Sequence, residues 1–273
     1  MVSFLRRPES PLGDFIESIF YYEGFNPGHL IDRFLPDGNV QLIIDLSEES
    51  KGIYDNNTLE EIQSCRRAWF SGFRTKPITI PSGQHSEMMV MQFRKGRAFP
   101  FLNLPLNELK NLVVDADLVL GAEILTIREQ VQEAPSEEKI NQFIAGFLQL
   151  FADRLEKNPF TDYFLDQILT VPNLATLKDV TQKVGYSQKH LIDIFKKNVG
   201  VTPKVCLRTI RFQKVIEFIG MQSQVEWSSV AHNFGFYDQS HFISDFKFFS
   251  GYTPNEYLDL RGGILNYLPI STG

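Results

Sequence analysis

Thr176-Leu-Lys-Asp-Val-Thr-Gln-Lys-Val-Gly-Tyr-Ser187, a run to Phe195 and Gly200-Val-Thr-Pro203 are answered about fifty residues on. The second copy reads Glu226-Trp-Ser-Ser-Val-Ala-His-Asn-Phe-Gly-Phe236, a run to Phe246 and Gly251-Tyr-Thr-Pro254. Leu177 answers to Trp227, Val180 to Val230 and Gly185 to Gly235 at an offset of 50. After Tyr237 the offset is 51, and His190 answers to His241, Phe195 to Phe246 and Pro203 to Pro254. Two copies are too few to stack into a solenoid.

The punctuation of one copy predicts its structure. Thr176 is a helix cap with Asp179 closing a capping box. Leu177, Val180, Thr181 and Val184 share one helical face, and Gly185 ends the helix in the left-handed region. Ser187 caps a second helix, as Asp238 does in the second copy, and that helix ends at Gly200 or Gly251. Two helices joined by a short glycine turn are a helix-turn-helix. Thr202 and Pro203 then open a linker helix as cap and first residue. It runs to about Ile219, roughly 24 Å of rod at the helical rise. Two readers so spaced match successive major grooves of a duplex, about 34 Å apart. The plain alternative is a helical bundle without DNA contact.

These residues also carry a family resemblance. Gly185-Tyr-Ser-Gln-Lys-His-Leu-Ile-Asp-Ile-Phe-Lys-Lys-Asn-Val-Gly-Val-Thr-Pro203, with Arg208 and Arg211 beyond it, resembles the AraC/XylS family. So does Gly235-Phe-Tyr-Asp-Gln-Ser-His-Phe-Ile-Ser-Asp-Phe-Lys247 with Gly251-Tyr-Thr-Pro254. The resemblance covers roughly the last hundred residues and implies a sequence-specific transcription regulator with an effector-binding or dimerising domain in front. The family often carries arginine where Asp193 and Ser244 stand, so guanine readout by that residue type is absent at both.

The 273 residues carry a net charge of −6, unevenly spread. Residues 1–158 hold 16 Lys and Arg against 23 Asp and Glu, whereas residues 159–273 hold 11 against 10. The reader half is near neutral, which predicts modest nonspecific DNA affinity. Two cysteines, Cys65 and Cys206, point to a reducing compartment rather than a disulfide framework. The start lacks a signal-peptide core and no apolar run approaches membrane-spanning length, so a cytoplasmic protein with no membrane contact is expected.

An α+β chain is expected, with residues 1–155 as a β-rich sensor or dimerisation domain and 160–262 as the DNA-binding domain. Within the latter, the first reader is 176–199, the linker helix 203–219 and the second reader 226–249. Pro36-Asp-Gly-Asn39 is a turn, and Val40, Leu42, Ile44 and Leu46 alternate as a half-buried strand does. Ala68–Phe73, Lys76–Ile80 and Glu87–Phe93 are further strands, with a polar loop or hairpin end over Glu48–Asn57. Such strands predict a small barrel or double-sheet roll. Phe34-Leu-Pro-Asp-Gly38, Gly72-Phe-Arg-Thr75 and Gln92-Phe-Arg-Lys-Gly96 resemble a cupin-like sensor placed before AraC-type readers. From Asp117 the period turns helical: Leu118–Glu133 is one helix and Ser136 caps another. The second carries Ile140, Phe143, Ile144, Phe147, Leu150 and Phe151 on one face, packed on its own barrel or serving as a homodimer seam. Glu156–Pro159 is a linker.

No catalytic fingerprint or phosphate loop is present, so no enzyme activity and no cofactor are expected. His85-x-Glu87 with His29 falls short of the three or four ligands a metal site needs. Base-readout candidates are Gln188, Lys189, Ile192 and Asp193 in the first reader and Gln239, Ser240, Ile243 and Ser244 in the second. Gln suits adenine, Lys guanine, and Asp the cytosine amino group. Lys196, Lys247, Arg208, Lys214, His190 and His241 are phosphate candidates, and Arg211 ties the linker helix to a reader. Arg33, Arg74 and Arg94 are candidates for holding an anionic small organic effector in the barrel. The expected partner is an asymmetric duplex site spanning two grooves. The competing reading is a ligand- or protein-binding module whose readers no longer engage DNA.

Overall fold

The computed structural model describes residues 1–170, 187–222, 224–262 and 264–270, with 167–170 as backbone only. The expected first helix of the first reader, Thr176 to Val184 with Gly185, lies outside the described residues. In the front part the alternation of Val40, Leu42, Ile44 and Leu46 buries all four side chains, and β4 spans Gln41–Asp45. Around it lie β1 (Val2–Arg6), β2 (Ile16–Glu23), β3 (Ile31–Phe34), β5 (Lys51–Tyr54) and β6 (Glu61–Cys65). Further along come β7 (Ala68–Ser71), β8 (Ile78–Pro81), β9 (Glu87–Phe93) and β10 (Val113–Asp115). A last strand, β11 (Tyr267–Ile270), comes from the far end of the chain.

These strands form two antiparallel sheets. One runs β1-β2-β9-β4-β7-β10 and the other β11-β3-β8-β5-β6. They are not hydrogen-bonded into a closed cylinder, so the open double-sheet roll replaces the barrel. Beyond the expected DNA-binding domain of 160–262, β11 joins the second sheet beside β3. Strand β9 shows why the roll has two interiors. Its Met89, Met91 and Phe93 enter the main core, while Met88 and Val90, on the opposite face by strand alternation, line a cavity between the sheets.

The helical period begins at Ala116 and breaks once. Helices α1 (Ala116–Leu120) and α2 (Glu123–Glu133) stand where one helix was expected. Gly121, at φ +103°, ends the first, a conformation an L side chain resists. Helix α3 (Lys139–Phe151) is not capped by Ser136, whose hydroxyl bonds Glu23 at 3.2 Å instead. Its apolar face is interior. Phe147 and Phe151 lie 5.2 and 5.3 Å from the Phe101 ring, and Phe143, Phe147 and Phe151 are fully buried. Phe143, Phe147 and Phe151 of that stripe are therefore spent on the chain's own core, while Ile144 and Leu150 are half-buried.

The same core continues into the reader half. Helix α4 (Pro159–Thr170) is capped by the Asn158 side chain, which accepts from Thr161 N at 2.9 Å. Its Phe164 meets Phe195 of α5 (Gln188–Val199) at 5.3 Å, edge to face. Phe195, Val199, Val201, Cys206 and Ile210 belong to one continuous buried cluster with Phe101 and Leu106. Gly200, at φ +95°, ends α5 against the front part of the chain; a Cβ there would come within 3.1 Å of Phe73 and 3.3 Å of Leu106.

Helix α6 (Pro203–Gly220) is the expected linker, with Thr202 as cap and Pro203 in its first turn. Then follow α7 (Trp227–Asn233), α8 (Gln239–Ser250) and α9 (Pro254–Leu260). Their core is a second cluster holding Phe212, Ile216, Phe242, Phe246 and Phe249, together with Leu35 from the end of β3 and Leu268 from β11.

Candidate nucleic-acid interface and sensor cavity

The two reader helices are built alike. Ser187 accepts from His190 N at 3.3 Å and Asp238 from His241 N at 2.7 Å, so both helices start at the expected caps. Both end on left-handed glycines, Gly200 and Gly251. Side-chain capping satisfies an otherwise orphaned N–H and fixes the first turn, the turn a major-groove reader presents to bases.

Gln188, Lys189 and Asp193 are exposed on α5, as are Gln239, Ser240 and Ser244 on α8. Ile192 and Ile243 are half-buried, and Ile243 packs on the second cluster, leaving each an apolar edge rather than a full reading surface. His190 and His241 are exposed at equivalent positions. The His241 Nδ1 accepts from Tyr237 N at 3.3 Å and its ring stands edge to face with Phe236, so this imidazole also braces the turn. Lys247 is exposed, while Lys196 and Lys214 are half-buried.

Arg208 is half-buried and has partners within the protein. Its Nε donates to Asp245 Oδ1 at 2.9 Å, and its guanidinium lies 4.9 Å from the Phe248 ring centroid and 5.4 Å from that of Phe249. Asp245 is buried, so this is the charge partner that makes its burial tolerable. Arg211, expected to tie the linker helix to a reader through a hydrogen bond, lies over the Phe236 ring at 5.1 Å. The two arginines thus fasten α6 to the second reader.

Helix α7 has a cap that sequence reading did not identify. Glu226 accepts from Ser228 N at 3.1 Å and Ser229 N at 2.7 Å. The hydrogen bonds from Ser228, then Ser229, hold its carboxyl down at about 2, against an ordinary 4.5. A depressed carboxyl contributes stability that is present above its unfolded value and lost as pH falls toward the folded one. Trp227 emission, one residue away, should therefore report loosening of α7 between about pH 4.5 and 2. In Glu226→Gln that pH-dependent component should disappear, and its persistence would assign the change elsewhere.

In the front part the described residues line a partly open cavity of about 420 Å³ between the two sheets. Its walls are mainly apolar, with Phe34, Ile43, Trp69 and Ile80 among them, and Tyr267 and Ile264 close it from the chain's far end. Lys51 and Asp32 are its charged lining residues. Lys51 is buried and reaches the exposed Glu49 at 3.3 Å. Burial raises the Asp32 carboxyl, while His29, at 2.7 Å, pulls it down.

None of the three candidate effector arginines lines this cavity. Arg33 is buried but donates to Thr79 Oγ1 at 3.2 Å, to Asn56 O and to the Tyr252 hydroxyl, joining β3 to the second reader. Arg74 reaches Asn111 O at 3.4 Å, and desolvation lowers it to about 10. Arg94 pairs with Glu17 at 2.9 Å on the surface. The sequence gives no sign that Lys51 is the cavity's cation, because it stands in a polar stretch that reads as loop. Among the described residues, no group of three or more His, Cys, Asp and Glu converges on a point. Nor is any helix there long and apolar enough to cross a membrane. Glu87 is occupied by the Tyr21 hydroxyl at 2.9 Å and Lys139 at 3.3 Å.

Comparison with known proteins bears on both halves. Residues 180–259 match the family described as helix-turn-helix domain, and residues 6–115 match a domain of unknown function (DUF6597). The first match covers the stretch that carries the repeated cap-and-turn pattern of the sequence. No curated protein matches the chain. Among solved structures, ToxT from Vibrio cholerae is 12% identical, with a TM-score of 0.47, over 96% of this chain and 100% of that one. ToxT from strain SCE256 of that species, with an unsaturated fatty acid bound, is 16% identical at a TM-score of 0.45 over 90% and 95%. The C-terminal domain of AraT, a response regulator from Geobacillus stearothermophilus, is 24% identical over 38% of this chain and 87% of that domain, with a TM-score of 0.35. At TM-scores below 0.5 these are similarities of outline and carry no function across.

Proposed function

We propose that the chain is a sequence-specific, DNA-binding transcription regulator controlled by a small, largely apolar organic molecule bound between the two sheets. The observation that carries the DNA reading is the pair of like-capped helices α5 and α8, flanking one linker helix and each exposing a polar first turn. Their exposed residues differ, Gln-Lys at 188–189 against Gln-Ser at 239–240, so one chain should read an asymmetric site. A palindrome would instead mirror a two-fold dimer of single readers.

A binding-site selection with the full chain, followed by footprinting, tests this. A protected stretch of nearly two turns without internal symmetry is the expected result. Protection of a single groove would sink the two-reader scheme, and absence of any selected sequence would leave a module that no longer engages DNA. On the selected site, Lys189→Ala and Gln239→Ala should each cost about 1–3 kcal/mol and relax preference at one position. A loss uniform across sequences would move that residue to the phosphates.

The effector reading rests on the cavity. A site of this size, apolar with few polar groups, is what a small-molecule pocket looks like. Its charged side chains, Lys51 and Asp32, are the orienting groups.

A further inference from the structure

The wall of the cavity that belongs to β3 and β11 has a second face. Tyr267 pairs with Phe34 across the ladder, their rings 4.9 Å apart, and Phe34 pairs in turn with Ile78. All three line the cavity. The next residue along each strand points the other way, as strand alternation requires. Leu268 and Leu35 are fully buried, and both sit in the second reader's core with Phe212, Ile216 and Phe242. The ladder is therefore one strand thick between a ligand site and the core of a DNA-reading unit.

Its edges are pinned to the same unit. Leu35 N donates to Asn266 O at 2.9 Å. The Gln213 side chain, on α6, donates to Pro36 O at 2.6 Å and to Asn266 Oδ1 at 3.0 Å. Arg261 donates to Ile219 O at 2.7 Å and Gln222 O at 3.2 Å, fixing the chain where it leaves α9. The strand thus docks only when sensor and second reader are together.

We propose that β11 is a ligand-stabilised latch: a molecule in the cavity packs on Tyr267 and thereby holds the second helix-turn-helix unit against the sensor. The linkage follows from mass action. Tyr267 is part of the cavity wall only while β11 is docked, so a ligand that touches it binds the docked state more tightly and shifts the population toward it. Reciprocally, whatever loosens β11 weakens the ligand by the same factor. This rests on the reading of the cavity as an effector site.

The test uses the full chain and the apolar anion 8-anilinonaphthalene-1-sulfonate as probe, with hydrogen–deuterium exchange read at residues 264–270. Bound probe should slow exchange there by about tenfold, within the range usual for coupled sites. Leu268→Ala, which leaves the cavity lining intact, should weaken the probe by a similar factor. Ile216→Ala, an equally buried deletion in the same reader core but off the ladder, should not. Probe binding without slowed exchange, or equal affinity in the two variants, overturns the latch.

A separate arm needs no ligand. Val90→Phe fills part of the cavity from the opposite sheet and should itself slow exchange at 264–270. If the probe fails to bind but Val90→Phe slows exchange, the latch stands and the cavity is not a site for apolar anions. Unchanged or faster exchange in Val90→Phe overturns the latch.

Discussion

Replacing Arg208 with methionine is expected to destabilise the protein by about 2–3 kcal/mol while leaving the salt dependence of DNA binding unchanged. Asp245 is buried and Arg208 is its ion-pair partner, so the substitution strands a carboxylate in the second reader's core. Breaking a buried pair from one side costs about 3–5 kcal/mol, and the lower figure allows for an arginine that is about a third exposed and screened by water. Removing both charges, as Arg208→Met with Asp245→Asn, should recover much of the loss. Urea melts of the four proteins in the cycle give the stability side. A phosphate contact would behave differently: its loss would lower the slope of log K against log salt by about one and leave the melt untouched.

An isolated fragment from about residue 159 onward is expected not to fold as a soluble two-reader unit. Phe164, Phe195, Val199, Val201, Cys206 and Ile210 are buried in the cluster that also holds Phe101 and Leu106 of the sensor half. Cutting the chain before α4 exposes that face, and β11 loses β3. In the full chain, Phe195→Ala should cost about 3–5 kcal/mol, the usual loss for a large buried ring. It should lower the melting temperature of both halves together in one transition. Two separate transitions, or a monomeric fragment with native-like helix content, would show that the shared core is only adjacency.

The parts of this fold that were legible in the sequence are those specified locally. Ser187, Asp238, Thr202 with Pro203, and the glycines at 200 and 251 each act within a turn of their own position, and the described ones stand where the repeat put them. Strand β9 was read to the residue for the same reason, since its alternation is unbroken. Strand β2 gives no clear alternation, since Ile19-Phe-Tyr-Tyr22 is an unbroken apolar and aromatic run. The stretch Glu48–Asn57 reads as a loop or hairpin end and holds β5, while its partner Glu61-Ile-Gln-Ser-Cys65 is mostly exposed and polar and gives no strand signal. Strand β11 is four residues with a proline, and what makes it a strand is β3, far away in sequence.

The candidate site divides along the same line. Exposed positions on α5 and α8 followed from helix phase, which one sequence supplies. The partners of Arg33 and Arg208 did not, because Tyr252 approaches Arg33 only where β3 meets the second reader, and Asp245 approaches Arg208 only where α6 does. An arginine looks equally like a surface charge until its neighbours are known. Lys51 was overlooked for the converse reason: a lysine in a polar stretch gives no sign that a second sheet will fold over it.

The strand from 267 to 270 also sets an order of events during synthesis. Chains emerge from the ribosome N-terminal end first, at about 5–20 residues per second. The first ten strands are available once Asp115 has emerged, yet Ile264 and Tyr267 follow roughly 150 residues later, a delay of about 8–30 seconds. Until then the cavity lacks one wall, and the hydrogen-bonding edge of β3 is bare. On the proposed reading, ligand capture waits until residues 264–270 have been made. The open edge in that interval is also where a growing chain is most exposed to pairing with a neighbour on the same message.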